Sequence, residues 1–518
     1  LISIKDAGLR RAERAGERSR AMASEHFDVL IVGAGISGVG SAYHLQQNLP
    51  ERSFVILDAL EDFGGTWRTH KYPGIRSDSD LYTFGYRFKP WTGAPIATAD
   101  KILAYMGEVI DDNDLARHMR YRHRILTAAW SSETALWTVE AERTDTGARL
   151  SFTAGFLWMC QGYYGHQQGY TPEWLGMESF KGRIVHPQTW PEDLDYQGKK
   201  VVVIGSGATA ATLIPSIADE AAQVTMLQRS PTYFVPGRNV DDLADTLRAL
   251  EIDETWIHEI VRRQRLKMGE EFTRRSFEEP EAVKQELLAG VAAFVGPEIT
   301  AQHFTPAYRP WRQRIAFVPE GDIFQKVKEG KASIATGEID RFIENGILLK
   351  SGETLDADII VTATGFNLSV LGDIRFEVDG EPVDYAKTVT YRGMMFTGVP
   401  NLVWVFGYFR ASWTLRVDIM ADFVCRLLAH MDRKGAAKVG VALRPQDEGM
   451  ALSPWIDAEN FNPGYLMRSM HLMPQRGDKP EWQHTQDYWA ERNALPTIDL
   501  DGPEFVYASR SARAIAAE

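Results

Sequence analysis

Two short glycine-rich turns constrain this chain more than any other feature. Each follows an apolar run of branched residues and opens a helix-compatible stretch. The first run, FDVLIV from Phe27 to Val32, leads into GAGISG at Gly33 to Gly38, and its helix reaches about Leu49. A further run, FVIL, then ends at Asp58. The second unit starts with VVVIG at Val201 to Gly205, continues into GSGATA at Gly205 to Ala210, and closes with VTMLQRS at Ser230. Strand, glycine turn, helix, strand is a βαβ unit, and the spacing of the glycines is a dinucleotide-binding fingerprint. The turns begin 172 positions apart, which fits two dinucleotide domains and not a solenoid repeat. The expected fold class is α/β, with two Rossmann-like dinucleotide-binding domains and a helical insertion in the second.

The chemistry of the turns follows from their geometry. In the first, Gly33 permits the tight turn, Gly35 lets a diphosphate approach the backbone, and Gly38 lets helix and strand pack closely. Ser37 lies in the same helix opening. The diphosphate sits where free N–H groups and the helix dipole favour negative charge. Asp58, at the end of the following strand, is placed to accept hydrogen bonds from ribose hydroxyls. This combination points to FAD. Farther on, GGTWRTHKYPGIRSD runs from Gly64 to Asp78. Its paired glycines, followed by Thr66 and Trp67, fit backbone passing close to a flat ligand with an aromatic wall.

The second turn comprises Gly205, Ser206, Gly207, Ala208, Thr209 and Ala210, with alanine as the accepted variant of the third glycine. Its second strand ends Gln228-Arg229-Ser230, where a NAD site would want an acid. Arg229 offers a planar fork of donors to a 2′-phosphate, and Ser230 adds a hydroxyl. NADPH is therefore expected over NADH.

The 518 residues, at ~150 per domain, leave room for more than these two units. Residues 241–302 are charged and lack strand-like runs, but Leu243, Leu247, Leu250, Trp256, Ile257, Ile260 and Val261 recur at roughly helical spacing. They read as a helical insertion. ADIIVTATGF, Ala357 to Phe366, reads as a buried strand, and by fold-level analogy the chain is expected to return there to the first domain. The expected division is 22–160 and 356–518 for the FAD domain, 161–355 for the NADP domain, and surface wrapping from Asp478 onward. Residues 1–21 carry six basic and three acidic residues and no core pattern, and read as a non-native or disordered extension before Met22.

Net charge is −13, or −16 without that extension, which argues against a nucleic-acid partner held by phosphate neutralisation. Only Cys160 and Cys425 occur, so a disulfide framework, a multi-cysteine zinc site and a CxxC redox pair are excluded, and no metal site is expected. No apolar run reaches the ~18 residues of a membrane span, and no signal region is present; a cytoplasmic location is expected.

Between the two turns stands FKGRIVHPQTWP, Phe180 to Pro191. It fits FxGxxxHxxxW[PD], and with GGTWxxxxYPGxxxD, both turns and the ATG strand the chain resembles the type I Baeyer–Villiger monooxygenases from Met22 on. YPGIRSDSDLYTFGYRFKPW, PWRQR, GYFRASWTLR and MPQRGDKPEW resemble the bacterial ethionamide-activating subgroup more closely. The resemblance implies FAD reduction by NADPH, reaction with O2 to a C4a-peroxyflavin, and attack on a ketone to give an ester or lactone. The protonated form oxidises thioethers. It places Gly65, Thr66, Trp67, Arg76, Ser77 and Asp78 at the cofactors.

The resemblance also assigns the fixed cation near the flavin to Arg314, in PWRQR, with Asp78 as its partner; spacing alone does not select Arg314 among the arginines. Such a cation stabilises developing negative charge on oxygen. Where many members carry Lys before this Arg, Gln313 stands here, so Arg229 and Ser230 carry most of the preference for NADPH. His186 and Trp190 are read as a structural linker between domains, and Ser412 and Trp413 border the substrate pocket by family position. The alternative is an N- or S-hydroxylating flavin-containing monooxygenase with the same cofactors. A pyridine nucleotide disulfide reductase also has two βαβ units, but it needs a cysteine pair that is missing. A flavin-binding scaffold is the non-enzyme alternative.

Overall fold

The computed structural model describes residues 24–509, so the stretch 1–21 lies outside the described residues. Two parallel-cored sheets organise the chain. In the first, Glu25–Val32 pairs in parallel with Phe54–Leu57 on one side and with Arg149–Met159 on the other. His123–Ser131 and Leu136–Arg143 extend it as an antiparallel meander, and Arg375–Val378 adds in parallel beside His123–Ser131, with the short Glu381–Pro382 outside it. Leu402–Trp404 pairs with the end of Arg149–Met159. The central strand is buried at Val29, Leu30 and Ile31 because helices or loops cover both faces, which is why it reads as a continuous apolar run.

The second sheet is parallel throughout, in the order Ala332–Thr336, Gln223–Gln228, Lys200–Ile204, Ile359–Thr362, Arg183–Val185. This corrects one expectation. The strand ending in ATG does not open the return to the first sheet; Ile359–Thr362 inserts between Lys200–Ile204 and Arg183–Val185 in the second. The chain rejoins the first sheet only at Arg375–Val378. The reason is physical: an apolar strand buried on both faces carries the same signature in either parallel sheet.

Four helices fill the predicted insertion: Asp242–Ala249, Glu254–Glu278, Pro280–Val295 and Pro297–His303. They follow the second sheet in sequence, yet Ala244, Ile257 and Val261 join the apolar core around the first. Buried Arg262 ties them there by donating to the carbonyls of Tyr82, Thr83 and Gly85. Of the remaining positions singled out by periodicity, Leu243 and Leu247 are half-buried, whereas Leu250, Trp256 and Ile260 face solvent.

The last segment is more than wrapping. Trp482 is fully buried, and Phe505–Ala508 pairs antiparallel with Lys438–Val441. Glu491 is buried beside Arg416 of the long helix Trp413–Lys434, with Nε to Oε2 at 2.8 Å. Sequence periodicity missed this because the tail contributes isolated anchors, not a repeating face. The long helix packs on Ile36–Asn48, the helix that follows the first glycine turn, where His44 Nε2 lies 3.0 Å from Asp418 Oδ1.

Candidate active site

A single cavity of about 1180 Å³ joins the two glycine turns. At the first turn, a Cβ on Gly38 would lie 1.8 Å from the Gly33 carbonyl oxygen. Only glycine allows the helix Ile36–Asn48 to start that close to its strand. No side chain caps this helix, so its first N–H groups remain directed toward the cavity region lined by Gly33, Gly35 and Ser37. Asp58 also lines the cavity, and its carboxylate accepts from Ala34 N at 2.6 Å and Leu60 N at 2.7 Å. Burial raises its pKa against those bonds. Each oxygen keeps acceptor capacity for a hydroxyl.

The second turn differs in a telling way. A Cβ on Gly207 would meet nothing within 4 Å. Its glycine is unnecessary for packing and leaves open space beside the uncapped N-terminus of Ala208–Ile217. Gly205, Ser206, Ala208 and Thr209 line the cavity with it, while Ala210 is buried in the helix–sheet interface. Arg229 and Ser230 are exposed on the same wall. Glu338, which sequence reading missed, lines that end too. It is paired to Lys350 at 2.5 Å, and its carboxylate lessens the local positive charge near Arg229.

Between the turns stands the expected cation. Arg314 Nη2 donates to Asp78 Oδ2 at 2.7 Å, and Nη1 to the Phe409 carbonyl at 3.3 Å. The negative charge of Asp78 raises the Arg314 pKa further, so the guanidinium is permanently charged. Both residues line the cavity, as do Gly65, Thr66 and Trp67.

Three tyrosines surround Arg314 that no motif announced. Tyr163 Oη and Tyr164 Oη are 2.6 Å apart, and Tyr465 lines the same wall. Burial raises all three pKa values, so these phenols stay protonated. Their only sequence signal is a tyrosine pair just past the end of a buried strand. Trp413 stacks on Tyr163 at 5.2 Å between ring centroids, and its Nε1 donates to Ser37 Oγ at 2.8 Å.

Three polar residues expected at the site have their side chains engaged by other groups. Arg76 does not line the cavity; it pairs with Asp322 at 2.6 Å. Ser77 is buried, and its hydroxyl accepts from Ala97 N. Ser412 is buried against Thr83, with the two hydroxyls 2.7 Å apart. In each case a partner brought in by the fold takes the side chain: a carboxylate for Arg76, a backbone N–H for Ser77 and a hydroxyl for Ser412. His186 accepts from Gln188 N at Nδ1, so Nε2 carries the proton and donates to the Gly365 carbonyl at 3.0 Å. Burial lowers its pKa. Both ring nitrogens are committed to holding chain segments together. Trp190, half-buried, meets Tyr196 edge-on. Cys160 and Cys425 are both buried and free, and burial pushes both thiols up to about 12.

Comparison with known proteins agrees with this layout. An NAD(P)-binding Rossmann-like domain matches residues 31–91, and a flavin-binding monooxygenase-like family matches 94–244. The FAD-containing monooxygenase EthA of Mycolicibacterium smegmatis is 44% identical over 92% of this chain and 96% of its own. The probable FAD-binding monooxygenase AlmA of Acinetobacter baylyi is 41% identical over 92% and 95%. Among solved structures, a steroid monooxygenase bound to NADP aligns with a TM-score of 0.72 at 24% identity, over 93% of this chain and 100% of that one. OTEMO in complex with FAD and NADP gives 0.73 at 20% identity, over 94% and 100%. The structural likenesses carry the two-sheet fold. The sequence identities, spread over nearly the whole length of both chains, carry more: this chain belongs to the flavin-binding monooxygenase-like family.

Proposed function

We propose that the chain is an NADPH- and O2-dependent Baeyer–Villiger monooxygenase, which inserts one oxygen atom beside a ketone carbonyl and also oxidises thioethers to sulfoxides. The observation that carries this reading is the Arg314–Asp78 pair inside the cavity that joins the two glycine turns. We assign FAD to the turn at Gly33–Gly38 and NADPH to the turn at Gly205–Ala210. The open helix N-termini, the free acceptor capacity of Asp58 and the empty space over Gly207 suit two diphosphates and a ribose.

Bound FAD, reduced by NADPH, supplies the oxygen chemistry. The protein residues do the rest. Arg314 offers a fixed positive charge to negative charge that develops on oxygen during ester formation, with no reorganisation at that moment. Asp78 aims its guanidinium. Tyr163, Tyr164 and Tyr465 keep their protons and bring no competing negative charge to the same space. Trp413, pinned by Ser37, and Tyr163 form a flat apolar wall that keeps water from the reacting atoms. His186 has no free ring nitrogen and takes no part in proton transfer.

Product analysis with a methyl ketone and a methyl aryl sulfide, under NADPH and air, tests the assignment. Ester and sulfoxide are both expected. Sulfoxide with no ester returns the chain to the N- or S-hydroxylating class.

A further inference from the structure

Arginines 309, 312 and 410 stand together without a counter-ion. Arg309 Nη2 and Arg410 Nη2 both donate to the carbonyl and the side-chain oxygen of Asn460, at 2.8–3.0 Å. Both guanidinium groups also lie over the same ring, Phe277, at 4.2 and 5.1 Å. Among the described residues, no carboxylate comes within 4.0 Å of any of the three. In the Asn460 loop, Asp457 accepts from the N–H of Glu459, and Glu459, next to Asn460, is exposed to solvent. Arg312 makes no side-chain hydrogen bond, and its buried Nε has no partner; neither has the buried Nε1 of the adjacent Trp311. Trp311 itself is held at φ +62°, a conformation that L side chains rarely adopt.

Such a grouping is unusual in a chain with net charge −13. Burial, and then the neighbouring charge of Arg309, lowers Arg410 to about 10. Burial, and then Arg312, lowers Arg309. A bound anion would relieve the repulsion among these guanidinium groups. The position is informative. Arg312 is next to Gln313 and Arg314, and its carbonyl accepts from Asn462 N, next to Pro463; Gln313, Arg314 and Pro463 all line the cavity. Arg410 follows Phe409, whose carbonyl holds Arg314. Phe461, beneath Arg410, stacks on Phe409 at 4.6 Å.

We propose that Arg309, Arg312 and Arg410 form a recognition site for a carboxylate carried on the substrate, beside the cavity and next to an aromatic wall. The substrates so selected are amphiphilic oxo- or thioether-carboxylates, gripped at the acid end while the reacting group extends toward Arg314. This rests on the assignment of the cavity to substrate oxygenation.

Calorimetric titration of the flavin-loaded protein with decanoate, decan-2-one and inorganic phosphate tests it without turnover. Decanoate is expected to bind, and to bind at least about tenfold more weakly to Arg312→Gln/Arg410→Gln, as for loss of charge-assisted hydrogen bonds. Decan-2-one binding is expected to stay unchanged. Arg312→Gln alone removes a side chain with no protein hydrogen bond, and it is expected to show part of the loss even if the double variant folds poorly. Equal decanoate affinity in wild type and variants overturns the proposal, as does a site that takes phosphate and not decanoate. Because binding is the readout, absence of ester product would sink the Baeyer–Villiger reading alone, and absence of decanoate binding would sink this site alone.

Discussion

Arg314 and Asp78 are 236 residues apart in the chain and 2.7 Å apart in the fold. That contact places a permanently charged guanidinium between two dinucleotide turns that belong to different sheets. It requires the loop after the helical insertion to reach back to the segment following the first glycine turn.

Replacing Arg314 by Ala is expected to leave flavin binding intact and to cut ketone oxygenation by at least ~100-fold, the usual scale for removing a preorganised charge stabiliser. Flavin content together with ester yield checks this. Ester yield like that of the wild type would refute the assigned role.

Arg229→Ala is expected to weaken NADPH by roughly 1.5–3 kcal/mol, with little effect on NADH, because a charge-assisted bond to the 2′-phosphate is lost. Michaelis constants for the two nucleotides report the difference. Equal changes would remove Arg229 from the phosphate site.

The two glycine turns are expected to respond differently to a methyl group. Gly38→Ala forces a Cβ to within 1.8 Å of the Gly33 carbonyl, so the turn must open and soluble, flavin-loaded protein should be lost. Gly207→Ala meets no protein atom and should leave the melting temperature unchanged while it weakens NADPH binding. A thermal melt beside a nucleotide titration separates the two effects.

Removing the carboxylate of Glu491 leaves Arg416, fully buried, without its counter-ion. Glu491→Gln is expected to cost about 3–5 kcal/mol of stability, and Arg416→Met/Glu491→Leu considerably less, since no buried charge is then left alone. Urea unfolding of the three proteins measures the difference. A single variant as stable as the double one would argue that Arg416 finds another partner.

Acid sensitivity should arise from two buried imidazoles. Burial, then Arg262, lowers His258 to about 4; burial, then Arg416, lowers His484 to about 3. His258 Nδ1 accepts a bond from Trp91 N, which a proton there would break. Both folded values lie below the ordinary 6.5, so the unfolded chain binds protons first. Their contribution is complete above that value and is lost as pH falls toward the folded ones, at ~1.4 kcal/mol per pH unit for each group. His484→Gln should flatten the decline of unfolding free energy between pH 6 and pH 4, about one proton's worth. An unchanged slope would show that His484 is not a source of acid lability.

The dinucleotide units were legible in the sequence because their information is contiguous. An apolar strand, three spaced small residues and a helix opening lie within a dozen positions, and local sterics force the turn. The acid at Asp58 and the base at Arg229 follow at the ends of the next strands by the same logic. Composition excluded a cysteine redox centre for an equally simple reason, since only two cysteines exist and burial keeps both inert.

Tertiary structure decided the rest. Ile359–Thr362 lies between two parallel strands of the second sheet, and its apolar run, buried on both faces, would read the same in the parallel core of the first. Arg76, Ser77 and Ser412 carry the right groups near the site in sequence, but Asp322, Ala97 and Thr83 claim them. The Tyr163–Tyr164 pair, the bond between Glu491 and Arg416, and the unneutralised arginines beside the cavity all depend on contacts between distant segments. Backbone turns are set by neighbours along the chain. Which charge meets which is set by packing, and no pattern in the sequence encodes that separately from the fold.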